Sequence, residues 1–117
     1  MSRLVAVLGM ALVARAWAHT PSPDDVVASL AAPPARVAAG VDRVERDVKN
    51  PRLLLVRVGS GWFALSRDAR AEMAAEWYGS WRRAVPQGVI AVLDARTDRA
   101  VIRYGRGGLV VGVRDGG

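Results

Sequence analysis

Hydrophobic and polar positions divide the chain into stretches with different periods. Leu4 to Val13 is an unbroken apolar run, with Arg3 before it and Ala16-Trp17-Ala18 after it. Farther on, Val37, Val41, Val44 and Val48 recur at spacings of four, three and four, the repeat that lines one face of a helix. Pro34 is placed to open such a helix and Asn50-Pro51 to close it. Gly40 lies inside the stretch and valine is a weak helix former, so a strand from Val41 to Val48 is the competing prediction.

Arg52 to Val58 is a short run rich in leucine and valine that ends at Gly59-Ser60-Gly61, and Trp62 to Leu65 is apolar again beyond it. That pattern predicts a hairpin. Ser66 is positioned to cap a helix running to about Ala84. Its acids Asp68, Glu72 and Glu76 come early and its bases Arg82 and Arg83 late, the order that complements a helix dipole. Met73, Trp77 and Trp81, with Ala74, Tyr78 and Val85 beside them, fall on adjoining faces of that helix. Pro86 and Gly88 stop it.

Val89 to Leu93 is wholly apolar, as a central strand is. Asp94 to Asp98 turns the chain, Ala100 to Tyr104 returns, Gly105 to Gly108 turns it again, and Leu109 to Val113 makes a third strand of a meander. Alternation in the middle strand puts Ala100, Ile102 and Tyr104 on one side and Arg99, Val101 and Arg103 on the other. The predicted fold class is α+β: one long amphipathic helix packed on a small antiparallel sheet, the sheet being a short hairpin plus a C-terminal three-stranded meander.

The N-terminal pattern has a different meaning. A positive residue, an apolar run of ten and small residues at both specificity positions of a cleavage site read as a secretory signal peptide over residues 1–18, cut before His19. The run is shorter than the ~20 apolar residues that span a bilayer, so no stable membrane span is expected after processing. Residues 19–34 carry four prolines and read as a linker, with one short helix in which Ser22 caps, Pro23 takes the first position and Asp24 and Asp25 meet the dipole. The remaining 35–117 is the small α+β domain. The expected location is secreted or periplasmic.

Composition narrows the picture further. At 117 residues, 12.5 kDa and 51% hydrophobic, the chain supports one folded domain rather than a disordered segment or a multidomain machine. It has no cysteine, so even in an oxidising compartment no disulfide can staple it. Net charge is +6, and losing Arg3 and Arg15 with the leader lowers it to +4. Lys49 is the one lysine among seventeen basic residues; this bias and the many alanines match GC-rich codon usage.

The single histidine, His19, becomes the first residue after cleavage. It resembles the start of copper monooxygenases, which bind metal through the amine and imidazole of a terminal histidine. The resemblance covers one residue, and the second histidine that completes the copper site in that family has no counterpart here. With one histidine and no cysteine, the chain by itself builds neither a Ser-His-Asp or Cys-His nucleophile nor the usual structural zinc site. Carboxylates pass this filter. Glu72 and Glu76 sit one helical turn apart and Asp94 and Asp98 bracket a turn, spacings that suit a shared proton or a hard metal. The plainer expectation is a solvated helix face and a self-bonded turn. The glycine stretches 59–61 and 105–108 are expected as hairpin turns rather than phosphate cradles, because neither is followed by a helical pattern.

Two groups are candidates for contact with a partner. Residues 82–114 hold seven arginines against Asp94 and Asp98, and Arg96, Arg99, Arg103 and Arg106 form a candidate anion-binding face for an acidic polymer or an anionic surface. Trp62 and Phe63 are candidate aromatic contacts. No cofactor and no metal are expected, and no catalytic residue is assigned. The expected function is that of an exported, non-enzymatic small domain that works by contact with a protein or an anionic polymer in the cell envelope or outside the cell. The anion-binding module is the alternative.

Overall fold

The computed structural model describes residues 20–105 and, as backbone, 108–111. The predicted signal segment, His19, Arg106 and Arg114 lie outside these residues.

The first helix, α1, spans Pro23–Ala31 and starts as its sequence predicts. Ser22 Oγ accepts from the Asp25 N–H and the Asp25 carboxylate accepts from the Ser22 N–H, both at 3.1 Å. This reciprocal box satisfies two amides that the first turn leaves without partners. Val26 on this helix is buried against the core, so the stretch expected as a linker belongs to the domain.

Helix α2, Pro33–Ala39, ends at Gly40, whose φ of 69° is left-handed. A Cβ there would lie 2.0 Å from the Trp62 backbone nitrogen. Glycine therefore both terminates the helix and permits a close chain crossing. Strand β1, Val41–Arg46, follows at once. The valine repeat is thus divided between elements rather than lining one helix. Val37 is exposed on α2, Val41 and Val44 are buried from β1, and Val48 is exposed in the turn beyond it.

Strand β2, Leu53–Val58, pairs antiparallel with β1. The expected second arm at Trp62–Leu65 is not a strand. Ser60–Phe63 forms a single helical turn, α3, entered from Gly59. Gly61 makes this possible, because an added Cβ would already be 3.2 Å from the Gly40 Cα. The turn drives Trp62 into the core, fully buried and stacked on Trp77 with ring centroids 5.2 Å apart.

The long helix α4, Arg67–Ala84, matches its prediction closely: Ser66 Oγ accepts from the Ala69 N–H at 3.1 Å, and Ala74, Trp77 and Trp81 are buried. Strand β3, Val89–Asp94, then returns parallel to β2, with α3 and α4 as the crossover. Parallel neighbours require such a crossover. The sheet is therefore mixed, where antiparallel pairing throughout was expected, and the α+β class holds. Strands β4, Ala100–Gly105, and β5, Gly108–Val111, complete the meander and the order β1-β2-β3-β4-β5. A bulge interrupts β4: Ile102 pairs with Val92 but Ala100 with Leu93, so Val101 is the extra residue. Val101 and Ile102 are consequently both buried, which breaks the expected alternation at Ala100–Val101.

Candidate functional site

The two faces of the sheet differ. Leu54, Val56 and Val58 of β2, Ile90 and Val92 of β3, and Val41 and Val44 of β1 join the helical residues Val26, Trp62, Trp77 and Trp81 in one core. Because side chains alternate along a strand, the residues between them point the opposite way. These are Leu53, Leu55 and Arg57 on β2, Val89, Ala91 and Leu93 on β3, Arg43 and Glu45 on β1 and Arg103 on β4. None of these apolar residues belongs to the helix-side core. Among the described residues, no helix packs on this second face.

Register brings the open face together. Leu53 pairs with Val89, Leu55 with Ala91 and Arg57 with Leu93, so the apolar side chains of two central strands form one strip. Leu53, Leu55, Val89 and Leu93 are half-buried and Ala91 is buried. Charged groups border the strip. On the β1 side, Glu45 stands opposite Leu55 and the Arg57 guanidinium donates to the Glu45 carboxylate. Arg57 Nε also donates to Asp98 Oδ1 at 3.0 Å. On the β4 side, Arg103 is exposed opposite Ala91.

The Arg57 guanidinium is held above its ordinary pKa, first by the hydrogen bond to Asp98 and then, against the effect of burial, by the charges of Glu45 and Asp98. It stays charged, and the two acids fix its direction along the strip. Partly exposed pairs of this kind contribute roughly 0–1 kcal/mol to stability. Their main effect here is to hold the shape of the border.

The predicted anion-binding residues differ in how far they are engaged within the protein. Arg96 is engaged with Asp94: its N–H donates at 2.9 Å and its guanidinium at 3.3 and 3.4 Å. These bonds, led by the one from the Arg96 backbone, hold the Asp94 carboxyl below its usual range. Arg99 and Arg103 are exposed, and among the described residues neither has a carboxylate partner. Arg106 lies outside the described residues.

The aromatic candidates are placed inward. Trp62 is fully buried and Phe63 is half-buried against the core. Trp62 therefore packs the interior instead of offering its ring to a partner, a correction that follows from α3 replacing the expected strand.

The carboxylate pairs do not gather into a site. Asp94 faces Arg96 and Asp98 faces Arg57, while Glu72 and Glu76 are exposed on α4. Among the described residues, no group of three or more metal-ligating side chains is assembled. No helix of the described residues is long and apolar enough to cross a membrane.

Sequence reasoning missed Leu53, Leu55, Leu93, Glu45 and Arg57 as members of one surface. The signal was present in the Leu53-Leu54-Leu55 run, which makes both faces of β2 apolar. A strand of that kind is usually covered on both sides, and among the described residues helices pack on one side of this one. No protein-family model, no curated protein and no solved structure matches the chain.

Proposed function

We propose that the chain is an exported, non-enzymatic binding domain and that the open face of its sheet is where it meets another macromolecule. One observation carries this reading: the two central strands present a continuous apolar strip, Leu53, Leu55, Val89, Ala91 and Leu93, on the side away from the helices. The strip is partly open, with Leu53, Leu55, Val89 and Leu93 half-buried and Ala91 buried, and apolar surface rimmed by polar groups is characteristic of interaction sites. Fixed charges at Glu45 and Arg57 and the exposed Arg103 supply a rim that orients a partner and rejects mismatched ones. The short apolar leader supports export.

The test uses the native host. N-terminal sequencing of the purified product is expected to begin at His19, and a cytosolic product beginning at Met1 would contradict export. In envelope or medium fractions, the wild-type chain is expected to elute in a complex larger than its own mass. Leu55→Asp is expected to elute as free chain with an unchanged circular dichroism spectrum. Co-elution of Leu55→Asp with the same complex would reject the open face as the contact surface.

A second reading rests on Arg99 and Arg103, which carry no carboxylate partner among the described residues. An anion-binding module using them would bind an acidic polymer with an affinity that falls steeply as salt rises. Replacing both with alanine would abolish that binding, and an affinity independent of salt would reject it.

A further inference from the structure

A separate feature lies at the end of the sheet where β2 and β3 begin. There the β1–β2 turn, the last turn of α4 and the α4–β3 connection enclose a bowl of about 630 Å³ lined by Asn50, Arg52, Arg82, Gln87, Gly88 and Val89. That volume falls within the range of small-molecule sites. Its base is fixed by hydrogen bonds. The Trp81 indole N–H and the Val89 N–H both donate to the Arg52 carbonyl, at 2.7 and 2.8 Å. Gly88 lies so close to the indole that a Cβ would be 2.7 Å from Trp81 Cδ1.

The lining has an excess of donors. Asn50 Oδ1 accepts from the Arg52 N–H at 3.2 Å, and Gln87 Oε1 accepts from Arg52 Nη1 at 3.1 Å. The amide oxygens are thus engaged within the protein, which leaves both NH2 groups to donate. Arg82 Nη1 donates to the Tyr78 hydroxyl at 2.9 Å, and that hydroxyl donates onward to the Gly105 carbonyl. A guanidinium has five N–H donors, so Arg52 and Arg82 each retain most of theirs.

Charge points the same way. Arg46, outside the lining, sits over the Trp81 ring with its Cζ 5.6 Å from the centroid and donates from Nε to the Pro51 carbonyl at 2.6 Å. Among the described residues, none of Arg46, Arg52 and Arg82 is ion-paired. Asp47, the acid in the adjoining turn, is turned onto the Asn50 N–H at 2.7 Å.

We propose that this bowl is a phosphate site. Two guanidinium groups on different elements, with amide donors between them, suit a tetrahedral oxyanion that accepts in several directions, whereas a planar carboxylate accepts in one plane. The remaining volume accommodates an organic group esterified to the phosphate.

The full chain can be titrated at constant ionic strength with inorganic phosphate, glycerol 3-phosphate and acetate, by calorimetry and by NMR of the arginine Nε–Hε groups. Both phosphate probes are expected to bind saturably and to shift the Arg52 and Arg82 signals, with acetate at least about tenfold weaker. Tighter binding of glycerol 3-phosphate assigns the site to esterified phosphate, and tighter binding of inorganic phosphate assigns it to the free anion. Arg52→Gln and Arg82→Gln are each expected to weaken binding about tenfold or more, while Arg36→Gln, exposed on α2 toward the end of the sheet where β2 finishes, leaves it unchanged. Absence of saturable phosphate binding would overturn the proposal, as would equal losses from Arg36→Gln. Leu55→Asp does not touch the bowl, so the open-face reading and this one fail separately.

Discussion

The helix-covered and open faces of this sheet are built from the same strands, yet they use apolar residues for different ends. On the covered face Leu54, Val56, Val58 and Val92 have no exposure and close against Trp62 and Trp81. On the open face Leu53, Leu55 and Leu93 are only half-buried and lie beside Glu45, Arg57 and Arg103. A single strand such as β2 thus serves stability through one set of alternate residues and is free to serve contact through the other. A strand rich in leucine and valine, such as β2, can therefore be closed on one side and only half-buried on the other.

Stability measurements can break this comparison directly. Trp81→Ala is expected to cost about 3–5 kcal/mol in denaturant unfolding, because it empties a fully buried site and removes a donor to the Arg52 carbonyl. Leu55→Ala, on the open face of β2, is expected to cost less than about half of that, since less of its surface leaves water on folding. Equal losses at the two positions would mean that the faces are not energetically distinct.

Gly88→Ala sharpens the picture of the covered face. The added methyl meets Trp81 Cδ1 and the Val85 carbonyl at distances no relaxed structure tolerates, so a loss of about 1–3 kcal/mol is expected from overpacking. Unchanged unfolding would show that the indole can shift freely. Arg57→Met probes the open face in the same way. It removes the bonds to Glu45 and Asp98 but keeps an apolar stem, and the expected change is within about 1 kcal/mol.

The smallest effect concerns acid. Asp94 has a carboxyl pKa below its ordinary 3.8, caused mainly by the Arg96 N–H. A carboxyl depressed in the folded state contributes stability that is present above the unfolded pKa and lost as pH falls through the folded one. The melting temperature of the wild-type chain should therefore fall slightly more than that of Asp94→Asn below about pH 4. A steeper decline for the variant would reverse the sign.

Local chemistry was the legible part of this fold. Ser22 and Ser66 cap their helices, and residues 67–84 and 89–93 adopt the predicted states, because capping, periodicity and turn residues act within a few positions. What escaped depends on distant partners. The Trp62 backbone passes so close to Gly40 that no side chain fits there, and Trp62 stacks on Trp77 from a single helical turn. The same holds for the candidate surface: the pairing of Arg57 with Glu45 and Asp98 needs the register of β1 against β2 and the turn before β4. Arg96, Arg99 and Arg103 are close in sequence, yet the structure ties Arg96 to Asp94 and leaves Arg99 and Arg103 exposed.

The contact role of the open face is tested most directly by placing a photocrosslinking amino acid at position 55 and, separately, at position 76 on the exposed side of α4, then irradiating intact native-host cells. A discrete adduct from position 55 and none from position 76 is the predicted result. No adduct from position 55, or the same adducts from both, would contradict it.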